Sequence, residues 1–80
     1  MRLDKFLKVS RLIKRRTVAK DVSEAGRISV NGKVAKPATE VKVGDVLEIG
    51  FGSKLISVEV LEIKGAVPAN EAKNIYRIIE

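Results

Sequence analysis

Leu3, Phe6, Leu7 and Ile13, with the small Ser10 between them, recur at three- and four-residue spacing. That period predicts an amphipathic helix over residues 3–13. At about 100° per residue, Asp4, Lys8, Arg11 and Arg15 gather on the opposite face, with Lys5 at its edge. A second helix is predicted from Arg16 to Ala25, turning Val18, Ala19, Val22 and Ala25 inward, and Gly26 supplies a left-handed stop. No Ser, Asp or Asn precedes Arg16, so no side-chain cap is evident there; Thr17 serves if the helix starts one residue later.

The period then shortens to two. Arg27-Ile28-Ser29-Val30 alternates polar with apolar, and Asn31-Gly32 is the strongest short-range hairpin signal in the chain. Lys33-Val34-Ala35 is the returning strand, stopped near Pro37. Val43-Gly44-Asp45 turns into the strand Val46-Leu47-Glu48-Ile49, and Gly50 and Gly52 flank Phe51 as a loop. Residues 54–63 form a longer strand, with Ile56, Val58 and Val60 alternating with Ser57, Glu59 and Leu61. After Pro68, Glu71-Ala72-Lys73 predicts a short helix, while Ile75-Tyr76-Arg77-Ile78-Ile79 reads equally as helix or strand. The order predicts an α+β fold: two N-terminal helices packed on a small curled antiparallel sheet, with a short C-terminal extension. No repeat or linker interrupts it, so residues 1–80 are expected to form one domain.

Charge turns this outline toward a partner. The chain carries 16 basic and 10 acidic residues, a net +6. Residues 1–42 hold twelve Lys and Arg against Asp4, Asp21, Glu24 and Glu40, a net +8; residues 43–80 hold four against six, a net −2. So one-sided a cation calls for a polyanion. In the first 20 residues only Asp4 offsets eight bases: Arg2, Lys5, Lys8, Arg11, Lys14, Arg15, Arg16 and Lys20. An ordinary solvated helix face mixes the two signs. Cations every three or four residues along a helix meet several phosphates at once, and each arginine adds a planar two-pronged grip. These eight are therefore the candidate RNA-binding residues. Arg27, Lys33 and Lys36, around a hairpin that is itself structural, are candidates for a second wall. Asp4 either complements the dipole of the first helical turn or orients Arg11 or Lys8. Reversing Arg11 and Arg16 to Glu is expected to leave the fold intact, both being read as pointing outward.

The missing residues narrow the function further. Without cysteine or histidine the chain has no disulfide, no thiolate, no Cys/His metal site and no imidazole base. No catalytic residue, metal or cofactor is expected. The only aromatics are Phe6, Phe51 and Tyr76, with Phe6 on the buried stripe, so a stacking platform for single-stranded bases is lacking. Structured RNA, read through its backbone, is the expected partner. A DNA major-groove reader needs an isolated recognition helix, and Asp21 and Glu24 make the second helix a poor one. No apolar run approaches the roughly 20 residues of a membrane span. The opening Met1-Arg2-Leu3-Asp4-Lys5 is not followed by a signal-like apolar stretch. A cytoplasmic monomer without a membrane partner is expected.

Arg2-Leu3-Asp4-Lys5-Phe6-Leu7, then Ser10-Arg11, a second helix ending at Gly26, Arg27-Ile28-Ser29-Val30-Asn31-Gly32, Pro37 and Val43-Gly44-Asp45, taken in that order, resemble the α-L RNA-binding motif. This is the domain named after the fourth protein of the small ribosomal subunit. The likeness covers about residues 1–50, leaving a strand and short tail over 51–80. The run from Ser10 to Lys20 and the tail Glu71-Ala72-Lys73-Asn74-Ile75-Tyr76 make the chain similar to stand-alone members of the family. These are bacterial ribosome quality-control factors and the longer heat-shock ribosome-binding proteins of proteobacteria. The resemblance implies binding to stalled large ribosomal subunits that retain peptidyl-tRNA. It implies contacts with large-subunit rRNA and with tRNA, while a partner factor tails the nascent chain. It also implies that Arg2 and Arg16 lie on rRNA. Arg15 departs from the small polar residue common in the family before the second helix. The residues themselves leave open a constitutive ribosomal or ribosome-assembly protein, a remnant of an rRNA-modifying enzyme, and a messenger-RNA or DNA binder.

Overall fold

A computed structural model describes residues 1–79. Along the chain run α1 (Leu3–Val9), α2 (Arg16–Glu24), β1 (Ile28–Val30), β2 (Lys33–Val34), β3 (Val46–Phe51), β4 (Lys54–Val60), a 3₁₀ turn (Ala69–Asn74) and β5 (Tyr76–Ile79). The strands form one antiparallel sheet in the order β2-β1-β3-β4-β5. Residues opposite each other in such a ladder share a face. The register therefore lines up Val30, Leu47, Val58 and Ile78 on one side, and Ser29, Glu48 and Ser57 on the other. Leu47, Ile49, Val58 and Val60 are fully buried together with Leu3, Phe6 and Leu7 of α1 and Ala19 of α2. The two helices thus cover one face, and that layer is the core.

The two tightest turns follow from local backbone chemistry. Asn31 and Gly32 both have positive φ, 52° and 85°, as a two-residue turn twisted to match its strands requires. Asn31 also ties this turn to β3. Its amide donates to Asp45 Oδ1 at 3.0 Å, and its Oδ1 accepts from the Val46 N–H at 2.9 Å. At the end of α2, Gly26 has φ +76°. Gly26 N–H donates to the Ser23 carbonyl and Arg27 N–H to the Val22 carbonyl, the paired bonds of a Schellman stop.

Four expectations need correction. α1 ends at Val9, not residue 13. Ser10 Oγ donates back to the Leu7 carbonyl at 3.1 Å, Arg11 takes φ +60°, and the chain reverses so that Ile13 enters the core. In α2 only Ala19 and Ser23 are fully buried; Val22 is half-buried, while Val18 and Ala25 are exposed. Phe51 is not in a loop, because it pairs with Lys54 and leaves Gly52-Ser53 as the turn. β4 stops at Val60, where residues 54–63 were expected to be extended. The undecided run at the end is a strand over Tyr76–Ile79, which adds to the free edge of β4.

The N-terminus is held by a segment far away in sequence. Leu3 N–H donates to the Thr39 carbonyl, Asp4 N–H to the Pro37 carbonyl and Val41 N–H to the Met1 carbonyl. Arg2 and Glu40 form an isolated antiparallel bridge. Two orphan N–H groups at the start of α1, those of Leu3 and Asp4, are therefore satisfied by the carbonyls of Thr39 and Pro37 rather than by a side-chain cap.

Candidate RNA-binding surface

The starts of α1 and α2 meet at Asp4. Its carboxylate lies on the flank of the apolar stripe, about 100° from Leu3, and is 2% exposed. Lys8, one turn on, is open to solvent, but Asp4 is covered by Arg2, Arg16 and the segment 37–41, contrary to expectation. Arg2 donates to it through two nitrogens, Nε to Oδ1 at 3.2 Å and Nη2 to Oδ2 at 3.1 Å. Arg16 Nη2 approaches Oδ1 at 3.5 Å. One acid thus holds two arginines whose side chains remain about half exposed. A guanidinium has five N–H donors, so each keeps several for another oxyanion.

Burial pushes the Asp4 carboxyl upward. The Arg2 hydrogen bond, the charges of Arg16 and Arg2, and a hydrogen bond from the Lys5 backbone together outweigh it and hold the group below its ordinary value of 3.8. The carboxylate is therefore charged at neutral pH. This arrangement corrects the idea that Arg16→Glu leaves the fold untouched, since that change would set two carboxylates against each other at a buried site.

At the other end of α1, Lys8, Arg11 and Lys14 line one cleft together with residues 65–67. Arg11 and Arg15 are not on α1, so the single helical row Lys8–Arg11–Arg15 does not form. Arg15 instead takes the N-cap position of α2 in extended conformation without a side-chain cap, and Thr17 lies inside the helix. Lys20 is exposed one turn beyond Arg16, and Lys5 is half-buried. The residues expected as a second wall are spread out. Arg27 borders a separate groove with Asp21 and Phe51. Lys33 lies in the edge strand β2. Lys36 adjoins Pro37, whose carbonyl receives the Asp4 N–H, and so sits near the Arg2 end.

Arg11 occupies the position after a helix end where glycine is the common residue. An L side chain pays roughly 1–2 kcal/mol in that left-handed conformation. Arg11→Gly is expected to raise stability by about 0.5–1 kcal/mol after glycine's extra unfolded-state entropy is subtracted. Urea unfolding midpoints measured at constant m-value check this. An unchanged or lowered midpoint would mean that the backbone at Arg11 is not strained.

A family model described as the S4 domain matches residues 1–47. The chain belongs to the S4-domain family. A Bacillus subtilis relative named RQC P-site tRNA stabilizing factor is 58% identical over 80 residues, covering 100% of this chain and 93% of the relative. The protein of the same name from Halalkalibacterium halodurans is 62% identical over 78 residues, covering 98% and 89%. Among solved structures, the trimeric heat shock protein 15 of Vibrio cholerae superposes with a TM-score of 0.90 at 31% identity, covering 99% of this chain and 81% of that one. The S4 match ends just inside β3, whereas these likenesses run on through β4 and β5, so the C-terminal strands are part of what the chain shares with its stand-alone relatives.

Two features of this S4 surface escape the sequence reading. One is the role of Asp4 as a common anchor for Arg2 and Arg16, for which the only signal is a lone acid among eight bases. The other is the wall formed by Gly65-Ala66-Val67, whose composition carries no signal.

Proposed function

We propose that this protein is a non-catalytic RNA-binding factor of ribosome-associated quality control. It binds large-subunit rRNA and peptidyl-tRNA on stalled large subunits, and it supports tailing of the nascent chain by a partner factor. The carrying observation is identity of 58% and 62%, over nearly all of both chains, with relatives named RQC P-site tRNA stabilizing factor. The physics agrees with it. Arg2, Lys5, Lys8, Arg11, Lys14, Arg15, Arg16 and Lys20 supply the phosphate contacts on the helical side. Arg27, Lys33 and Lys36 extend the positive field around the hairpin. With neither histidine nor cysteine in the chain, its contribution is positioning: it adds cations beside a tRNA and slows that tRNA's departure. It acts in the cytoplasm as a monomer on each particle.

Purified large subunits with and without peptidyl-tRNA provide the test. The protein is expected to bind the tRNA-bearing particles at least about tenfold more tightly, because tRNA adds phosphates to the contact. Equal affinity for the two particles would remove the stalled-subunit assignment. Stoichiometric retention on every salt-washed ribosome would favour a constitutive ribosomal protein instead.

A further inference from the structure

We propose that the cleft between the end of α1 and residues 65–67 is a discrete seat for one RNA phosphate, separate from the Arg2–Asp4–Arg16 cluster. This deepens the RNA-binding reading and rests on it.

The cleft encloses about 240 Å³, and its lining includes Lys8, Arg11 and Lys14 but no acidic residue. Among the described residues, the ion pairs engage Arg2, Arg16, Lys64 and Arg77 and none of these three. The carbonyl end of α1 lies beside them, but it contributes only about half a negative charge. Three full positive charges therefore remain uncompensated around one small space. Clustered like charges repel each other when no anion is present. The facing wall leaves room for an anion: a Cβ built on Gly65 meets nothing within 4 Å, and Ala66 is exposed.

The backbone supports the same conclusion. Arg11 holds φ +60°, a conformation glycine adopts without steric strain, and strain of this kind concentrates at binding sites. The chain reverses at this residue, and Lys8, Arg11 and Lys14 line one cleft. The seven residues of α1 rise about 1.5 Å each. Asp4 and Lys8 are therefore about 6 Å apart along the axis, one turn of the same helix. Two phosphates held at a set spacing give the domain a register on folded RNA, which a diffuse positive surface would not.

The test separates filling the cleft from removing its charge. Ala66→Phe occupies the space and leaves net charge unchanged. It is expected to weaken binding to peptidyl-tRNA-bearing large subunits roughly tenfold, about as much as Lys14→Ala. Lys14→Ala is also expected to reduce the slope of log affinity against log salt by about 0.7–0.9. In an Arg11→Ala background, Ala66→Phe should add little. Undiminished binding by Ala66→Phe, with its fold verified by circular dichroism, would overturn the seat while leaving the RNA reading in place. Wild-type protein that binds no large subunits would overturn the RNA reading itself. A second arm titrates inorganic phosphate against chloride at fixed ionic strength and follows the backbone amides of residues 65–67 by NMR. Shifts there that vanish in Ala66→Phe support the seat. Shifts in this arm with no loss of subunit binding would assign the cleft to a free phosphate and overturn its RNA occupant.

Discussion

Asp4→Asn is expected to lower stability by about 2 kcal/mol at pH 7, because it removes the charged partner of two arginines at a site closed to water. The loss stays below the largest values known for broken buried pairs, since Arg2 and Arg16 are about half exposed and water takes up part of their charge. The effect carries its own pH signature. The carboxyl is held below 3.8 in the folded protein, so the unfolded chain binds this proton first as pH falls. The stabilisation from the ionised group is complete above 3.8 and is lost as pH drops through the lower folded value. The gap between wild type and Asp4→Asn should therefore be constant from pH 8 to about pH 5 and shrink toward pH 2. Urea unfolding across that range reads it. A gap that stays the same at pH 2.5 would show that Asp4 acts through shape or hydrogen bonding alone, without its charge.

The stop of α2 and the stop of α1 show how far the fold is legible in the sequence. Both helices end with a residue in left-handed conformation, Gly26 at φ +76° and Arg11 at φ +60°. Glycine announces such a position because it adopts it without strain. Arginine does not, so the period of apolar residues suggests that α1 runs on to Ile13. What ends α1 is non-local, since Ile13 gains a place in the core only if the chain turns back after Ser10. The hairpin at Asn31-Gly32 is legible for the same reason as Gly26. The final strand is not, because a run of five residues with four apolar ones fits either period, and the choice is made by the open edge of β4. The charge asymmetry is a property of composition and survives any error in helix length. The grouping of the charges does not, because it depends on which helix end each cation reaches. Asp4 is the clearest case. Its burial comes from Arg16, twelve residues on, and from the segment 37–41 that lies across the start of α1.

Arg2→Ala and Arg16→Ala together should weaken binding to tRNA-bearing large subunits by about 100-fold and reduce the salt slope by roughly 1.5–2, as loss of two phosphate contacts requires. Read alone, the double variant is ambiguous, since it strands the Asp4 carboxylate in a buried site with no countercharge and so destabilises the fold as well. The remedy is to remove the stranded charge too. In the triple variant Asp4→Asn, Arg2→Ala, Arg16→Ala, no buried ion remains, so stability should recover by about 1 kcal/mol or more relative to the double variant. Binding should not recover with it. Asp4→Asn alone supplies the complementary case: both guanidinium groups stay but lose their common anchor, so affinity should fall only a few-fold, through the entropy of two side chains no longer held in place. The order of affinities is then wild type, Asp4→Asn, and the double and triple variants together at the bottom, while the order of stabilities places the double variant lowest. Affinities that instead follow stability across the four proteins would reduce Arg2 and Arg16 to parts of the scaffold and move the RNA contact to the cations at the other end of α1.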